Sequence, residues 1–210
     1  MADMMTQIDP AMMEELACFA VSTLICRERL ARDNGDFDAM ASYYHPDSWV
    51  DISWFQGSGQ EFVDRSRANY ARIDVSIHLL SPPVVTVDRD RAIAEQPCIN
   101  RSFFTMDGIE MSREGFTRLL WRAQKHEGRW LIAGLRAFYI RDILMPCTPG
   151  QMPPIDEQKL AALRPSYRHL DYALSSLGTG LGSRVDLPGS DRPETVAALR
   201  AGDREWLAQQ

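Results

Sequence analysis

Imidazoles and carboxylates are the side chains that exchange protons near neutral pH, and imidazoles are few in this sequence. Of its four histidines, His45, His126 and His169 fall in turns or in the C-terminal tail. His78 instead opens a run of strand-forming residues within Ser76-Ile77-His78-Leu79. On residue type alone it reads as a satisfied strand histidine, and Asp33, followed by Asn34-Gly35, reads as a residue that turns a helix end. Arg101, among Ile99, Phe103 and Phe104, either steadies a developing enolate or phenolate inside the fold or pairs with a carboxylate on the sheet surface. Tyr43 and Tyr44 close a short helix, and one of them is expected to face inward, as a donor to a leaving hydroxyl or as packing. Asp51 and Trp54 lie on opposite faces of one strand, so at most one of them lines a pocket. Trp121, Phe138 and Tyr139 are aromatic candidates for its wall or for the plain core.

These residues belong to a chain of 210 residues, 45% hydrophobic and 25% charged, long enough for one well-filled core. The net charge of −6 argues against nucleic acid or an anionic membrane as the main partner. The four cysteines (Cys18, Cys26, Cys98 and Cys147) form no C-x-x-C and no zinc-ligand spacing, and so read as reduced thiols of a cytoplasmic protein without a metal. The apolar run Leu16 to Cys26 follows Asp3, Asp9, Glu14 and Glu15 with no Lys or Arg, the opposite of a secretory n-region, and it is too short to span a bilayer. It reads as the buried stripe of a first helix, with Leu16, Phe19, Ala20, Thr23, Leu24 and Arg27 spaced by three and four.

Residues 1–10 read as a loose start. A helix is expected from Pro10 to Ala31, and a short one capped by Asp36 runs through Tyr43. One strand covers 48–55, and a third helix covers 60–73 after Gly57 and Gly59. A strand from His78 to Val87 is interrupted by Pro82-Pro83. Long strands then follow over 91–105, 111–123 and 130–140, separated by Asp107-Gly108 and His126-Glu127-Gly128. Helices followed by a run of strands, without βαβ alternation, indicate an α+β fold with an antiparallel sheet. Residues 146–155 hold four prolines and read as a linker. Helical pieces over 157–163, 167–176 and 192–207 are assigned caps at Asp156, Ser166 and the Asp191/Glu194 box. The division is thus a main domain, 1–145, and an extension, 146–210, too poor in apolar residues to stand alone, which packs on the main domain or a neighbouring subunit.

Arg27–Tyr44 (RERLARDNGDFDAMASYY), then His45-Pro46-Asp47, SWVDISWFQGSGQEFV and, further on, EGRWLIAGLRA resemble the SnoaL-like branch of the nuclear-transport-factor-2-like superfamily over residues 12–145. The resemblance implies a cone, a curved antiparallel sheet wrapped around N-terminal helices with a deep apolar pocket. It also implies a homo-oligomer, dimer or trimer, formed through the outer sheet face. Asp33-Asn34-Gly35-Asp36-Phe37 is similar to a stretch of the family member scytalone dehydratase, whose catalytic aspartate falls on Asp33 and whose catalytic histidine falls on His78. That enzyme's second histidine falls near Asn100 or Arg101. Its serine and asparagine on the next strand fall on Phe116 and Arg118, and a water-holding tyrosine falls on Ile52. The resemblance therefore implies an acid–base pair, Asp33 and His78, retained while the substrate-binding groups differ. The candidates for those are Tyr43, Tyr44, Asp51, Trp54, Asn100, Arg101, Arg118 and Phe138. A carboxylate on Nδ1 fixes the imidazole tautomer and leaves the other nitrogen to take a proton from carbon, with no cofactor. The implied activity is that of a dehydratase, another lyase or an isomerase on a small hydrophobic, aromatic or polycyclic molecule. The alternatives are a ligand-binding protein without turnover and a small structural subunit of an aromatic-ring oxygenase.

Overall fold

Pro10 opens α1 (Pro10–Asp33) where its missing N–H is not needed, and Asp9 accepts from the Ala11 amide at 3.1 Å. The computed structural model describes residues 9–70, 75–176 and 186–209. The expected loose start therefore lies mostly outside the described residues, as does the expected end of the third helix at 71–73. After α1 the chain turns at Gly35, with φ +73°, and Asp36 caps α2 (Phe37–Ala41) through the Ala39 amide.

β1 (Tyr44–Ile52) and β2 (Phe55–Ser58) replace the one strand expected over 48–55, because Ser53 and Trp54 turn the chain back into a hairpin. α3 (Gly59–Tyr70) follows. Pro82-Pro83 divides the next segment fully into β3 (Val75–Leu80) and β4 (Val84–Asp88), both paired with β5 (Arg91–Met106). β6 (Ile109–His126) and β7 (Arg129–Pro146) complete the meander and run longer than their apolar cores suggest. Their turns, Asp107-Gly108 and Glu127-Gly128, hold positive φ at both positions, as tight hairpins with right-handed strand twist require.

The sheet is open and curved, in the order β2-β1-β7-β6-β5-β3, with β4 also on β5. It is not wholly antiparallel, since β1 runs parallel to β7. Their register shifts between Tyr44 and Trp49, the stretch where Pro46 has no N–H to give the ladder. Irregularities between β6 and β7 at Phe116/Thr117 and Arg122/Ala123 add local bending.

The inner face carries Ala92, Ala94, Cys98, Leu119, Trp121, Leu135 and Ala137 against Val21, Leu24 and Ile25 of α1, Phe37 and Met40 of α2, and Phe62 and Val63 of α3. This corrects the expected stripe of α1. Leu16, Phe19 and Arg27 are exposed, while Val21, Leu24, Ile25, Glu28, Arg29 and Ala31 are buried. The hydrophobic periodicity misassigns the face because two of its inward residues are charged. Glu28 and Arg29 neutralise each other through contacts of 2.5 and 2.6 Å, which lets a carboxylate and a guanidinium enter the core.

Beyond β7 the chain forms α4 (Glu157–Ala162), α5 (Arg168–Ser176) and α6 (Pro193–Ala208). Asp156 caps α4 through the Lys159 amide at 2.9 Å. The first amides of α5 are taken by Asp142 of β7, in place of the Ser166 cap expected from sequence. α6 has no side-chain cap, because it begins at Pro193 and the cap position falls on Arg192, which has no acceptor, while Asp191 of the expected box is engaged by Arg164. α6 covers the outer sheet face, where Val196 and Leu199 meet Leu120 and Phe138.

Candidate active site

β3 pairs with β5 so that His78 stands directly opposite Asn100, and β5 pairs with β6 so that Asn100 stands opposite Gly115. These positions share the inner face with Cys98, Leu119 and Trp121. Asp33, at the last turn of α1, reaches this face from the side. Its Oδ1 lies 2.7 Å from His78 Nδ1, and its Oδ2 accepts the His78 backbone N–H at 2.7 Å. Two contacts from one carboxylate fix the imidazole plane as well as its position. Both side chains are largely buried, with 9% of His78 and 13% of Asp33 exposed.

A second set of contacts settles the proton positions. Arg113 Nη2 donates to Asn100 Oδ1 at 2.6 Å. The Asn100 amide nitrogen must then face the other way, toward Ser76 Oγ at 3.3 Å and His78 Nε2 at 3.2 Å. An N–H pointed at Nε2 requires a lone pair there, so the imidazole proton sits on Nδ1 and is donated to Asp33. Gly115 makes room for this arrangement, because a Cβ at that position would lie 2.6 Å from Arg113 Nη1. Arg113 is anchored behind by Asp142 Oδ2 at 4.0 Å, and Asp142 also accepts from the His169 and Leu170 amides and lies 2.9 Å from His169 Nδ1.

Burial pushes the His78 imidazole down. The Asp33 hydrogen bond works against this and the charges of Arg29 and Arg32 add to it, leaving a pKa of about 4. Burial alone would raise the Asp33 carboxyl, but its hydrogen bonds from His78 outweigh that and hold it below the ordinary value. Near neutral pH the pair is therefore a carboxylate and a neutral imidazole with an unprotonated Nε2, which is a resting base.

The other residues singled out from sequence divide by face. Asn100 touches His78. Trp54 packs on Phe62 with ring centroids 5.4 Å apart and lies under the Arg32 guanidinium at 5.7 Å. Tyr44 is buried and donates to Glu28 at 2.8 Å, and burial with that carboxylate holds its hydroxyl protonated. Tyr43 packs at the edge of the core. Four lie on the other side of the sheet. Arg101 pairs with Glu114, the surface alternative considered for it. Arg118 faces Glu95 at 3.8 Å, Phe138 lies beneath α6, and Asp51 lines a small cavity with Arg136. Among the described residues no three His, Cys, Asp or Glu side chains gather as metal ligands. Sequence reasoning did not find Arg32, Arg113 or Asp142. The available signal was an arginine two residues before a glycine at inward positions of β6, where an apolar residue is the default.

Residues 18–136 match the SnoaL-like domain family. Pea pathogenicity protein 2 of Fusarium vanettenii is 27% identical over 182 residues, spanning 85% of this chain and 78% of that protein. A type 2 hexachlorocyclohexane dehydrochlorinase (LinA) superposes with a TM-score of 0.56 at 13% identity, over 69% of this chain and 98% of that one. A protein of unknown function from Mycobacterium tuberculosis superposes at 0.52 with 17% identity, over 95% of both chains. No described helix is long and apolar enough to cross a membrane.

Proposed function

Since the chain belongs to the SnoaL-like domain family, of the nuclear-transport-factor-2-like fold, we propose that it is a cofactor-independent acid–base enzyme, a lyase or isomerase acting on a small hydrophobic, aromatic or polycyclic molecule. The observation that carries this reading is the Asp33 Oδ1 to His78 Nδ1 contact of 2.7 Å on a largely buried imidazole whose Nε2 is unprotonated. Such a base accepts a proton from carbon, and the resulting imidazolium, stabilised by Asp33, returns it to a leaving group or to a second carbon. The elimination class is also that of the dehydrochlorinase sharing the fold. The working unit is taken as a cytoplasmic homo-oligomer.

The test is a screen of aromatic alcohols and β-hydroxy carbonyl compounds for loss of water, with wild type beside His78→Ala and Asp33→Asn. Turnover that falls at least about 100-fold in both variants supports the dyad. Turnover unchanged in His78→Ala excludes it. A second reading, ligand binding without turnover, is favoured by one contact: Asn100 already occupies the Nε2 lone pair. Tight binding of such compounds with no product after prolonged incubation would select it.

A further inference from the structure

Arg32 precedes Asp33 on α1, and its guanidinium lies over the rings of Trp54 at 5.7 Å and Phe62 at 5.8 Å. Its side chain is 14% exposed, and its Nε is fully buried without a hydrogen-bond partner. The carboxylate oxygen within reach, Asp33 Oδ1, stands 3.8 Å from Nη1 and already holds His78 Nδ1 at 2.7 Å. Arg29, one turn away, differs, since its Nε and Nη2 grip Glu28 at 2.5 and 2.6 Å. A buried cation with unspent donors beside a base is unfavourable unless a ligand supplies negative charge. Burial, with Arg29 adding and Glu28 and Asp33 opposing, lowers the Arg32 pKa to about 10.

Resting on the acid–base reading of Asp33 and His78, we propose that Arg32 binds the oxygen that becomes negative as His78 takes its proton, so that the substrate is an enolisable carbonyl compound that sets this oxygen at Arg32 and a flat apolar body against Trp54 and Phe62. In the first step the C–H bond next to the carbonyl breaks. Its proton passes to Nε2 once the Asn100 N–H has moved off that lone pair, its electron pair forms the carbon–carbon double bond of the enolate, and the carbonyl π pair moves to oxygen beside Arg32. Where the β-carbon carries a leaving hydroxyl, the enolate then returns its pair, that carbon–oxygen bond breaks, and the proton on Nε2 leaves with the hydroxyl as water. Nothing is oxidised or reduced, and the imidazole is neutral again.

The probe is 4-nitrophenol, whose bound ionisation is read by absorbance against pH, compared with neutral 4-nitroanisole. Wild type is expected to bind the phenolate at least about tenfold more tightly than the anisole. The preference is lost in Arg32→Gln and retained in part by Arg32→Lys, with unchanged circular dichroism in both. It persists in His78→Ala, so the subsite stands or falls separately from the dyad. Equal binding of the two probes, binding of neither, or a preference that survives in folded Arg32→Gln overturns the proposal.

On the outer side of α1, Met12, Leu16, Phe19, Thr23, Cys26 and Leu30 succeed one another at alternate steps of four and three residues, the spacing of a coiled-coil seam. Phe19 is 71%, Leu30 63%, Met12 55% and Leu16 52% exposed. The helix already buries a different face in its own core. We infer that this seam pairs with the same seam of a second copy, antiparallel about a two-fold axis near Val21 that sets Met12 against Leu30, Leu16 against Cys26 and Phe19 against Thr23. Exposed Glu14 and Glu15 lie in the N-terminal half and exposed Arg27 in the C-terminal half, so this orientation brings opposite charges together and opposes the helix dipoles.

Light scattering on the full chain at micromolar concentration is expected to give twice the chain mass, and Phe19→Asp to give the single mass with unchanged circular dichroism. Leu16→Cys is expected to oxidise to a covalent dimer through Cys26, and removing Cys26 as Cys26→Ser abolishes it. A monomeric wild type, or a dimer that survives Phe19→Asp, overturns the pairing.

Discussion

At the scale of single residues, the site depends on which nitrogen of His78 holds the proton. Asp33 takes Nδ1–H, and Arg113 orients Asn100 so that its amide N–H faces Nε2. With a pKa of about 4, the imidazole is already neutral at the pH where an ordinary histidine is half protonated. The kcat/KM of any elimination that uses it is therefore expected to stay level as pH falls through 6.5 and to drop on a limb near 4. Asn100→Asp places a carboxylate on Nε2, which favours a proton there, so the limb moves to higher pH. Nitrogen-15 NMR of labelled histidine follows the same change without a substrate, with Nε2 unprotonated in wild type and protonated in the variant. Stability shows the same linkage. The unfolded chain takes up the His78 proton near pH 6.5 and the folded chain only near 4, so this contribution is complete above 6.5 and is lost as pH falls through 4. Urea unfolding of His78→Asn against pH should lack that part of the slope.

At the scale of elements, α5 is tied to the sheet through Asp142, which is 3% exposed and serves the helix amides of His169 and Leu170 while facing Arg113. Asp142→Ala leaves two amides without their acceptor and takes the nearby counter-charge from buried Arg113, which keeps its bond to Asn100. It is expected to cost about 2 to 4 kcal/mol by urea unfolding and to speed hydrogen exchange in α5. Faster exchange confined to α5, with Asn100 and His78 unchanged by NMR, would show that Arg113 keeps its place without Asp142. Much of this scale was legible in the chain. Asp107-Gly108 and Glu127-Gly128 announce hairpins because their backbone requires positive φ, and the Asp33-Asn34-Gly35 resemblance pointed to His78 across forty-five positions. The faces of α1 were not legible, since hydrophobicity counts Glu28 and Arg29 as outward when their mutual contact lets them turn inward. The parallel seating of β1 on β7 was also hidden, because strand pairing between distant segments leaves no local spacing. Arg101 and Arg118 show the remaining limit. Strand alternation separates neighbours such as Asn100 and Arg101, but which parity faces inward is decided by packing.

At the scale of the whole molecule, α6 supplies a cover for the outer sheet face, the face the family resemblance assigns to subunit contact. Asp203 of α6, 5% exposed, accepts from Arg122 at 2.8 Å and from Arg136, while Val196 and Leu199 close over Leu120 and Phe138. Beside this contact a cleft of about 650 Å³ stays open between α6 and β4–β6, lined by Val84, Ile93, Pro97, Leu120 and Leu207. Two forces therefore hold α6, and they can be separated. Asp203→Ala removes the shared acceptor of two arginines but leaves the apolar contact. The loss is expected to be about 2 to 3 kcal/mol, below that of a fully buried pair, because the arginines keep 23% and 21% of their side-chain surface in water. Ending the chain before Pro193 removes both forces and uncovers Leu120 and Phe138 together with Arg122 and Arg136. The truncated chain is expected to unfold at lower urea than Asp203→Ala and to form species of higher mass by light scattering, because an uncovered apolar sheet face seeks another surface. Equal urea midpoints for the truncated chain and wild type would mean that the sheet does not depend on this cover. A lower midpoint without added mass would mean that α6 contributes stability but does not shield a sticky face.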